Sequence, residues 1–368
     1  MNDWSNLKLG EVIEIKYGKD HKQLSDGNIP CFGSGGLMRL VDKPLYKNES
    51  ILIPRKGSLN NIMYQNNPFW TVDTMFWSKI DDRIANGKFL FYQLTLIDYT
   101  NLNVGSAVPS LTVPVLNDID ISIPPLPEQQ AIAEVLSSLD DKIDLLHHQN
   151  QTLEQMAETL FRQWFIEEAK EEWEMLKVKD IAIHKKDSVN PSKNPFVEYK
   201  HFSLPAIDSG KRPQIELGSN IHSNKYLVHE NSILVSKLNP RIPRIWLNLN
   251  NVDDKCICST EFQVIKPKET EYLGFLFCLL KSDDAVSELE MSASGTSGSH
   301  QRVRPEDILN LCFNTPSIDR IIEFSKLVEP LLAKTLTNQT SINILEQKRD
   351  TLLPKLMSGE VRVKMDKE

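Results

Sequence analysis

The sequence predicts an α/β (α+β) protein built twice over: two globular mixed domains separated by two long helices that pair antiparallel as a coiled coil, with the halves related by a pseudo-twofold internal repeat. Three observations predict it. A long apolar stripe runs from Ile132 through Leu136, Leu139, Ile143, Leu146, Leu153, Ala157 and Leu160 to Trp164, in steps of three and four broken only by Asn150. Such spacing keeps one face of an underwound helix on a partner helix. A partner lies in the same chain, since Leu153-Glu154-Gln155 with Thr159-Leu160 returns as Leu345-Glu346-Gln347 with Thr351-Leu352. Around both stripes, two stretches of unlike sequence repeat one order of strands, basic loop and short helix, and a repeat must be found before a fold is assigned.

The first helix starts at Pro124-Pro125-Leu126-Pro127-Glu128, because prolines cannot continue it backwards and Glu128 suits its positive end. At 1.5 Å per residue its stripe is roughly 50 Å long, so one helix of this length needs a partner. Shifting the stripe by the repeat lands on Phe324, Val328, Leu331, Thr335, Asn338, Ile342, Leu345, Arg349, Leu352 and Leu356, of which only Thr335, Asn338 and Arg349 are not apolar. Antiparallel pairing then sets Ile132 against Leu356, Trp164 against Phe324 and Leu139 against Arg349. It also sets Asn150 against Asn338, two amides that can satisfy each other and fix the register. Arg349 is tolerable only if its stem packs and its head reaches water. Pro330 should kink or begin the second helix. Phe161, Trp164 and Phe165 exceed what one seam needs and are expected as an exposed patch that packs on a neighbouring domain or partner.

These signals divide the chain into a domain over 1–125, the central helix over 126–171, a second domain over 172–315 and a C-terminal helical region over 316–368. In the first domain, residues 7–15 alternate as a strand or strand pair, 31–36 form a glycine-rich turn and 50–54 a buried strand. Strands over 70–80 and 119–123 and a short helix over 88–96 complete it. The second domain repeats this order from Trp173, with a buried strand at 231–235, a short helix at 272–280 and a closing strand that ends at Thr315.

With 368 residues, 40% hydrophobic and 25% charged, the composition is that of an ordinary soluble globular protein of two or more compact units. No apolar run approaches the roughly eighteen residues of a membrane span, and Met1-Asn2-Asp3-Trp4 does not open a signal peptide. The five cysteines are scattered and lack metal-ligand spacing, so a reducing cytoplasm fits best and no metal site is expected. The net charge of −8 averages over the surface. Many acids lie on the central helix and its exit, whereas basic residues gather in loops, and binding follows where charge sits.

No catalytic constellation appears. There is no G-x-x-x-x-G-K-[ST] loop, and Gly33-Ser34-Gly35-Gly36 lacks the rest of a dinucleotide fingerprint. Asn67-Pro68-Phe69 and Asn194-Pro195-Phe196 are fragments of an adenine methyltransferase motif without its second proline, and read as turns. His147-His148 lies on a solvated helix face. What remains is basic and looped. Arg55, Lys56, Ser58, Asn60 and Asn61, with Ser106 in the following polar loop, can donate to phosphates or base edges. Lys237, Asn239, Arg241, Arg244, His300, Gln301, Arg302 and Arg304 offer the same chemistry in the second domain. Arginine presents a bidentate fork to guanine and asparagine a matching pair to adenine. Lys185, Lys186, Lys193, Lys211 and Arg212 are candidates for phosphate contacts, which position without specifying.

Pro124-Pro125-Leu126-Pro127-Glu128-Gln129-Gln130 opening a long helix, Leu139-Asp140-Asp141-Lys142-Ile143 within it, and Leu352-Leu353-Pro354-Lys355-Leu356-Met357-Ser358-Gly359-Glu360 near the C-terminus resemble the specificity (S) subunits of type I restriction-modification systems. The second helix departs from that pattern, with Thr315-Pro316-Ser317-Ile318-Asp319-Arg320 in place of the proline-rich start. The resemblance implies two target-recognition domains, each reading one half of a bipartite, asymmetric double-stranded DNA site, spaced by the helix pair. It implies docking to two methylation subunits, which bind S-adenosylmethionine, and to two restriction/translocase subunits, which use ATP and Mg. The chain itself would hold no cofactor and be no enzyme. The competing class is a non-catalytic coiled-coil scaffold carrying two protein-binding domains. An S-like chain of another restriction architecture is a further rival, but the fused methylase such systems often carry is absent.

Overall fold

The computed structural model describes residues 4–105, 107–210, 212–249, 255–293 and 301–363. The chain divides into two compact units, residues 1–144 with 344–368, and residues 145–343. The two long helices contribute to both.

In the first unit the elements follow as β1 (Ser5–Lys8), α1 (Leu9–Val12), β2 (Ile13–Tyr17), β3 (Ile29–Gly33), β4 (Gly36–Val41), β5 (Ser50–Pro54), β6 (Met63–Gln65), β7 (Trp70–Thr71), β8 (Met75–Ile80), α2 (Gly87–Thr95), α3 (Val113–Asn117) and β9 (Asp120–Ile123). The long helix α4 (Leu126–Arg162) then begins. Strands β2-β8-β5-β6 form one sheet, β4-β3-β7 a second, and β1 pairs antiparallel with β9. The alternation of residues 7–15 is interrupted by α1, a single turn. The Glu11 carboxylate accepts the backbone N–H of Lys8 at 2.6 Å, and Leu9 N–H donates to Ile119 O at 2.8 Å. The expected strand over 70–80 is likewise two strands, split by the turn at Val72-Asp73-Thr74. The core joins β5, β8 and α2 to the start of α4: Ile51, Ile53, Phe76, Phe89, Leu90 and Leu94 pack in one cluster with Ile132, Leu136 and Leu356.

Gln129 explains part of the Pro-Glu-Gln-Gln start. Its side chain is buried, accepting from Asn86 N at 2.8 Å and donating to Ile84 O at 3.0 Å and Pro124 O at 2.8 Å. One amide thus meets three backbone groups that would otherwise be buried unpaired. Arg349 is half-buried, with its guanidinium 2.9 Å from Asp140, which also accepts the Tyr92 hydroxyl. Its side chain stays 30% exposed, so the guanidinium reaches water as well as Asp140.

The second unit starts within α4, whose last turn widens into a π-helical turn at Gln163–Glu167. It continues as β10 (Glu174–Lys177), α5 (Val178–Ile181), β11 (Ala182–Lys185), β12 (Ser188–Val189), β13 (Glu198–Phe202), α6 (Leu204–Asp208), β14 (Gln214–Leu217), β15 (Lys225–Leu227), β16 (Ser232–Ser236), β17 (Ile245–Asn248), β18 (Cys256–Cys258), β19 (Phe262–Pro267), α7 (Leu273–Lys281), α8 (Asp283–Ser292), α9 (Pro305–Leu309), β20 (Cys312–Thr315) and α10 (Ile318–Met357). The plan of the first unit returns. Sheet β11-β19-β16-β17 matches β2-β8-β5-β6, the β10–β20 pair matches β1–β9, and α5 is again one turn, with Asp180 accepting Lys177 N–H at 2.8 Å. The outer sheet is larger here, in the order β12-β15-β18-β13-β14.

Within this unit the helices meet antiparallel in the expected register. Asn338 Nδ2 donates to Asn150 Oδ1 at 2.9 Å, and Asn150 Nδ2 reaches Thr335 O at 3.3 Å. Both asparagines are buried. Trp164 and Phe324 rings lie 5.8 Å apart. Phe161 and Phe165 pack on the neighbouring domain as expected, on Phe275 of α7 as well as on Phe324 of α10, and at 4% and 7% accessible they are not an exposed patch. The expected start of the second helix at Pro330 is corrected. Pro330 neither starts nor ends a helix, for α10 runs through it without interruption. Its ring lies on the exposed face, while Val328 and Leu332 on either side are buried and hold the helix against the core. Packing outweighs the one hydrogen bond that proline removes.

Candidate nucleic-acid interface

The two basic loops leave β5 and β16, strands buried along their whole length. A fixed set of backbone bonds holds each loop. Arg55 N–H donates to Thr74 O at 2.8 Å, Gly57 N–H to Pro109 O at 3.1 Å, and Leu111 N–H to Arg55 O at 2.9 Å. In the second unit Lys237 N–H donates to Glu261 O at 2.8 Å, Asn239 N–H to Gln301 O at 3.1 Å, and Val303 N–H to Lys237 O at 2.9 Å. Isolated bridges Lys56–Ser110 and Leu238–Arg302 complete the match. The turn after each bridge needs a positive φ, 88° at Gly57 and 47° at Asn239, a conformation that glycine adopts freely and asparagine tolerates. Buried Gln263 secures the second loop pair further by donating to Val303 O at 2.8 Å.

Each loop is therefore braced against a second loop, and the sequence-proposed residues divide by where their side chains go. Arg55 and Lys237 occupy equivalent places and turn inward. Arg55 Nη1 donates to Asp73 O at 3.1 Å, with its guanidinium 5.4 Å from the Tyr17 ring centroid. Lys237 Nζ donates to Thr260 O at 2.6 Å and lies 5.3 Å from the Tyr226 ring. Burial pulls the Lys237 ammonium below the usual lysine range, despite the opposing charge of Glu261. Asn60 bridges Asp98 Oδ1 (3.1 Å) and Tyr99 N–H (2.8 Å), and Asn61 donates to Ser34 O at 2.9 Å. Arg244 pairs with Asp208 at 2.6 Å, and Arg302 lies 3.4 Å from Glu261. Lys56, Ser58, Arg241 and Arg302 are exposed; Asn239 and Gln301 are half-buried. Of the phosphate-contact candidates, Lys186 and Lys193 are exposed, Lys185 lies in β11, and Arg212 donates to Asn343 on α10 at 3.0 Å. Ser106, Lys211 and His300 fall outside the described residues.

Tyr17, Tyr226, Asp208 and Ser34 shape these loops and carry no local sequence signal, because each reaches its partner from a different strand, helix or turn. Among the described residues no group of His, Cys, Asp or Glu is placed to hold a metal ion, and no helix is long and apolar enough to cross a membrane.

A duplicated pair of loop-bearing domains, with paired helices in the same chain and different side chains on matched loops, defines a two-domain recognition protein. Residues 1–155 and 170–350 match the type I restriction modification DNA specificity domain, and the chain belongs to that family. It is a specificity subunit, the non-catalytic component that gives a type I restriction-modification system its DNA sequence choice. The type I restriction enzyme MjaIX specificity subunit of Methanocaldococcus jannaschii is 28% identical, over 98% of this chain and 94% of its own. The HindI specificity subunit of Haemophilus influenzae is 23% identical, over 69% of this chain and 71% of its own. The crystal structure of a type I restriction-modification S subunit from M. genitalium superposes with a TM-score of 0.71 at 15% identity, covering 99% of this chain and 97% of that one, which shows a shared fold.

Proposed function

We propose that the two domains each read one half of a bipartite, asymmetric duplex DNA site, and that the chain docks two methylation subunits and two restriction/translocase subunits in the cytoplasm. S-adenosylmethionine, and ATP with Mg, belong to those partners. The observation that carries this reading is the loop pair repeated bond for bond in both units with different side chains. A common frame with divergent readers suits two unlike half-sites. Within it Lys56, Ser58, Asn61, Asn239, Arg241, Gln301 and Arg302, with Ser106 and His300, supply DNA contacts, while Arg55, Asn60, Lys237 and Arg244 set the loops' shape.

Mapping adenine methylation in a host carrying this chain and its methylation subunits tests it. The expected result is one split motif with two specified parts and an unspecified spacer. Arg241→Ala should relax the second-domain part and Lys56→Ala weaken binding through the first. The scaffold alternative predicts no sequence preference and little fall in affinity with salt, whereas counterion release makes DNA binding fall steeply.

A further inference from the structure

The turn joining β3 to β4 rests directly on the first basic loop. Ser34 O accepts the Asn61 amide at 2.9 Å, and a Cβ placed on Gly57 would lie 3.1 Å from Ser34 Oγ, so loop and turn touch with little room between them. Beyond the contact the turn opens to solvent: nothing lies within 4 Å of where side chains would stand at Gly35 or Gly36, and Gly36 has φ 115°. Backbone without side chains can approach a ligand closely. Leu37 and Met38 follow at once, 61% and 54% exposed. On the basic loop itself, Arg55 lies over the ring of Tyr17, which is 55% exposed. The strand's own cation points away, because Arg39 is held by Asp26 at 2.8 Å and Leu24 O at 3.0 Å.

We propose that Ser34-Gly35-Gly36 with Leu37 and Met38 is a second DNA-contacting element of the first domain, a glycine tip with an apolar flank that enters a groove beside Lys56 and Ser58. The inference rests on the DNA-reading function proposed above. Duplex DNA is the occupant because the tip is continuous with the basic loop through the Asn61–Ser34 bond, and exposed aliphatic side chains beside cations match a groove that presents thymine methyls beside phosphates. The second domain supports the placement. There the corresponding connection between β13 and β14 also bonds to its own loop, through Asp208 and Arg244 at 2.6 Å, but it carries helix α6 instead of a bare turn. In both units the connection within the outer sheet's antiparallel pair, β3–β4 and β13–β14, buttresses the reading loop, and in the first it also ends in an exposed apolar tip.

The test compares Leu37→Ser/Met38→Ser with Lys56→Ala in the full chain assembled with its methylation subunits, selecting duplexes from a randomised library and measuring affinity against salt. Both leucine and methionine are exposed, so the double change leaves the core intact. The expected result is about 10-fold weaker binding with relaxed preference at one or two positions of the first half-site. The second half-site should be unaltered, and the salt slope unchanged because an apolar contact releases no counterion; Lys56→Ala should lower that slope by about one. An unchanged consensus and affinity in the Leu37/Met38 variant, with Lys56→Ala still weakening binding, overturns this inference and leaves the DNA-reading function standing. Loss of methylation-subunit co-purification with the consensus intact also overturns it and marks the tip as a protein contact. If the unaltered chain selects no sequence at all, the underlying function fails instead.

Discussion

Replacing Asn150 or Asn338 with leucine separates the cost of an unpaired buried amide from that of the pair. In Asn150→Leu the amide of Asn338, 1% accessible, loses its 2.9 Å acceptor and keeps only a long approach to Gln149 Oε1 at 3.4 Å. A buried polar group left unsatisfied costs about 1–3 kcal/mol. In Asn338→Leu, Asn150 retains Thr335 O at 3.3 Å, so that change should be the milder. The double leucine variant removes both desolvated groups and adds apolar seam surface, and should return to wild-type stability or exceed it. The coupling between the two positions should therefore fall in the range of about 0.5–3 kcal/mol. Urea denaturation of the four proteins, followed by helical circular dichroism, reads it. If Asn150→Leu were as stable as wild type, or the double variant less stable than either single one, the amide pair would not be what the register rests on.

Arg55→Ala should weaken first-half-site binding without changing its salt slope, because the guanidinium is spent on Asp73 O and Tyr17; a slope lowered by about one would mean that it meets a phosphate. Phe161→Ser opens the aromatic cluster of α4, α7 and α10 and should cost about 3–5 kcal/mol, read as a lowered urea midpoint, whereas mere surface loss would leave the midpoint in place. Lys281 lies 2.8 Å from both Glu154 and Glu158. Burial alone would lower its pKa, but the two carboxylates outweigh it and the ammonium is held above the usual lysine value of 10.5. A raised folded-state pKa gives stability that is full below the unfolded value and lost as pH rises through the folded one. Thermal melting should thus be insensitive to this group from pH 7 to 9 and fall above about pH 10.5, a fall that Lys281→Met should abolish after lowering stability at pH 7.

The seam was legible because apolar spacing is a local property: Ile132 to Trp164 name one face, and Asn150 can match only Asn338 in the paired stripe. The start of α4 was legible in its prolines, but the task of Gln129 was not, since Asn86, Ile84 and Pro124 come to it from separate segments. Pro330 misled because local propensity argues for a break where flanking Val328 and Leu332 are held by the core. The single turns α1 and α5 hid inside an alternating pattern, though a carboxylate three residues after Lys8 and after Lys177 is their signature. The loops are legible as basic stretches, yet which cations face outward depends on Asp73, Thr260 and Asp208, which come to the loops from turns and a helix end distant in sequence.

The antiparallel pairs β1–β9 and β10–β20 carry a consequence for how such chains change. Ser5 stands opposite Ile123, and Glu174 opposite Thr315, so each domain begins and ends side by side on one two-stranded stub. A module whose ends adjoin can be exchanged at that stub without lengthening any connection, provided the incoming core covers the helix residues the old one buried, Ile132 and Leu136 in the first unit. Both stubs have the same plan, four residues against four, followed by a one-turn helix. A foreign domain that ends in such a pair and matches the helix face beneath it would take the seat with the long helices left as they are.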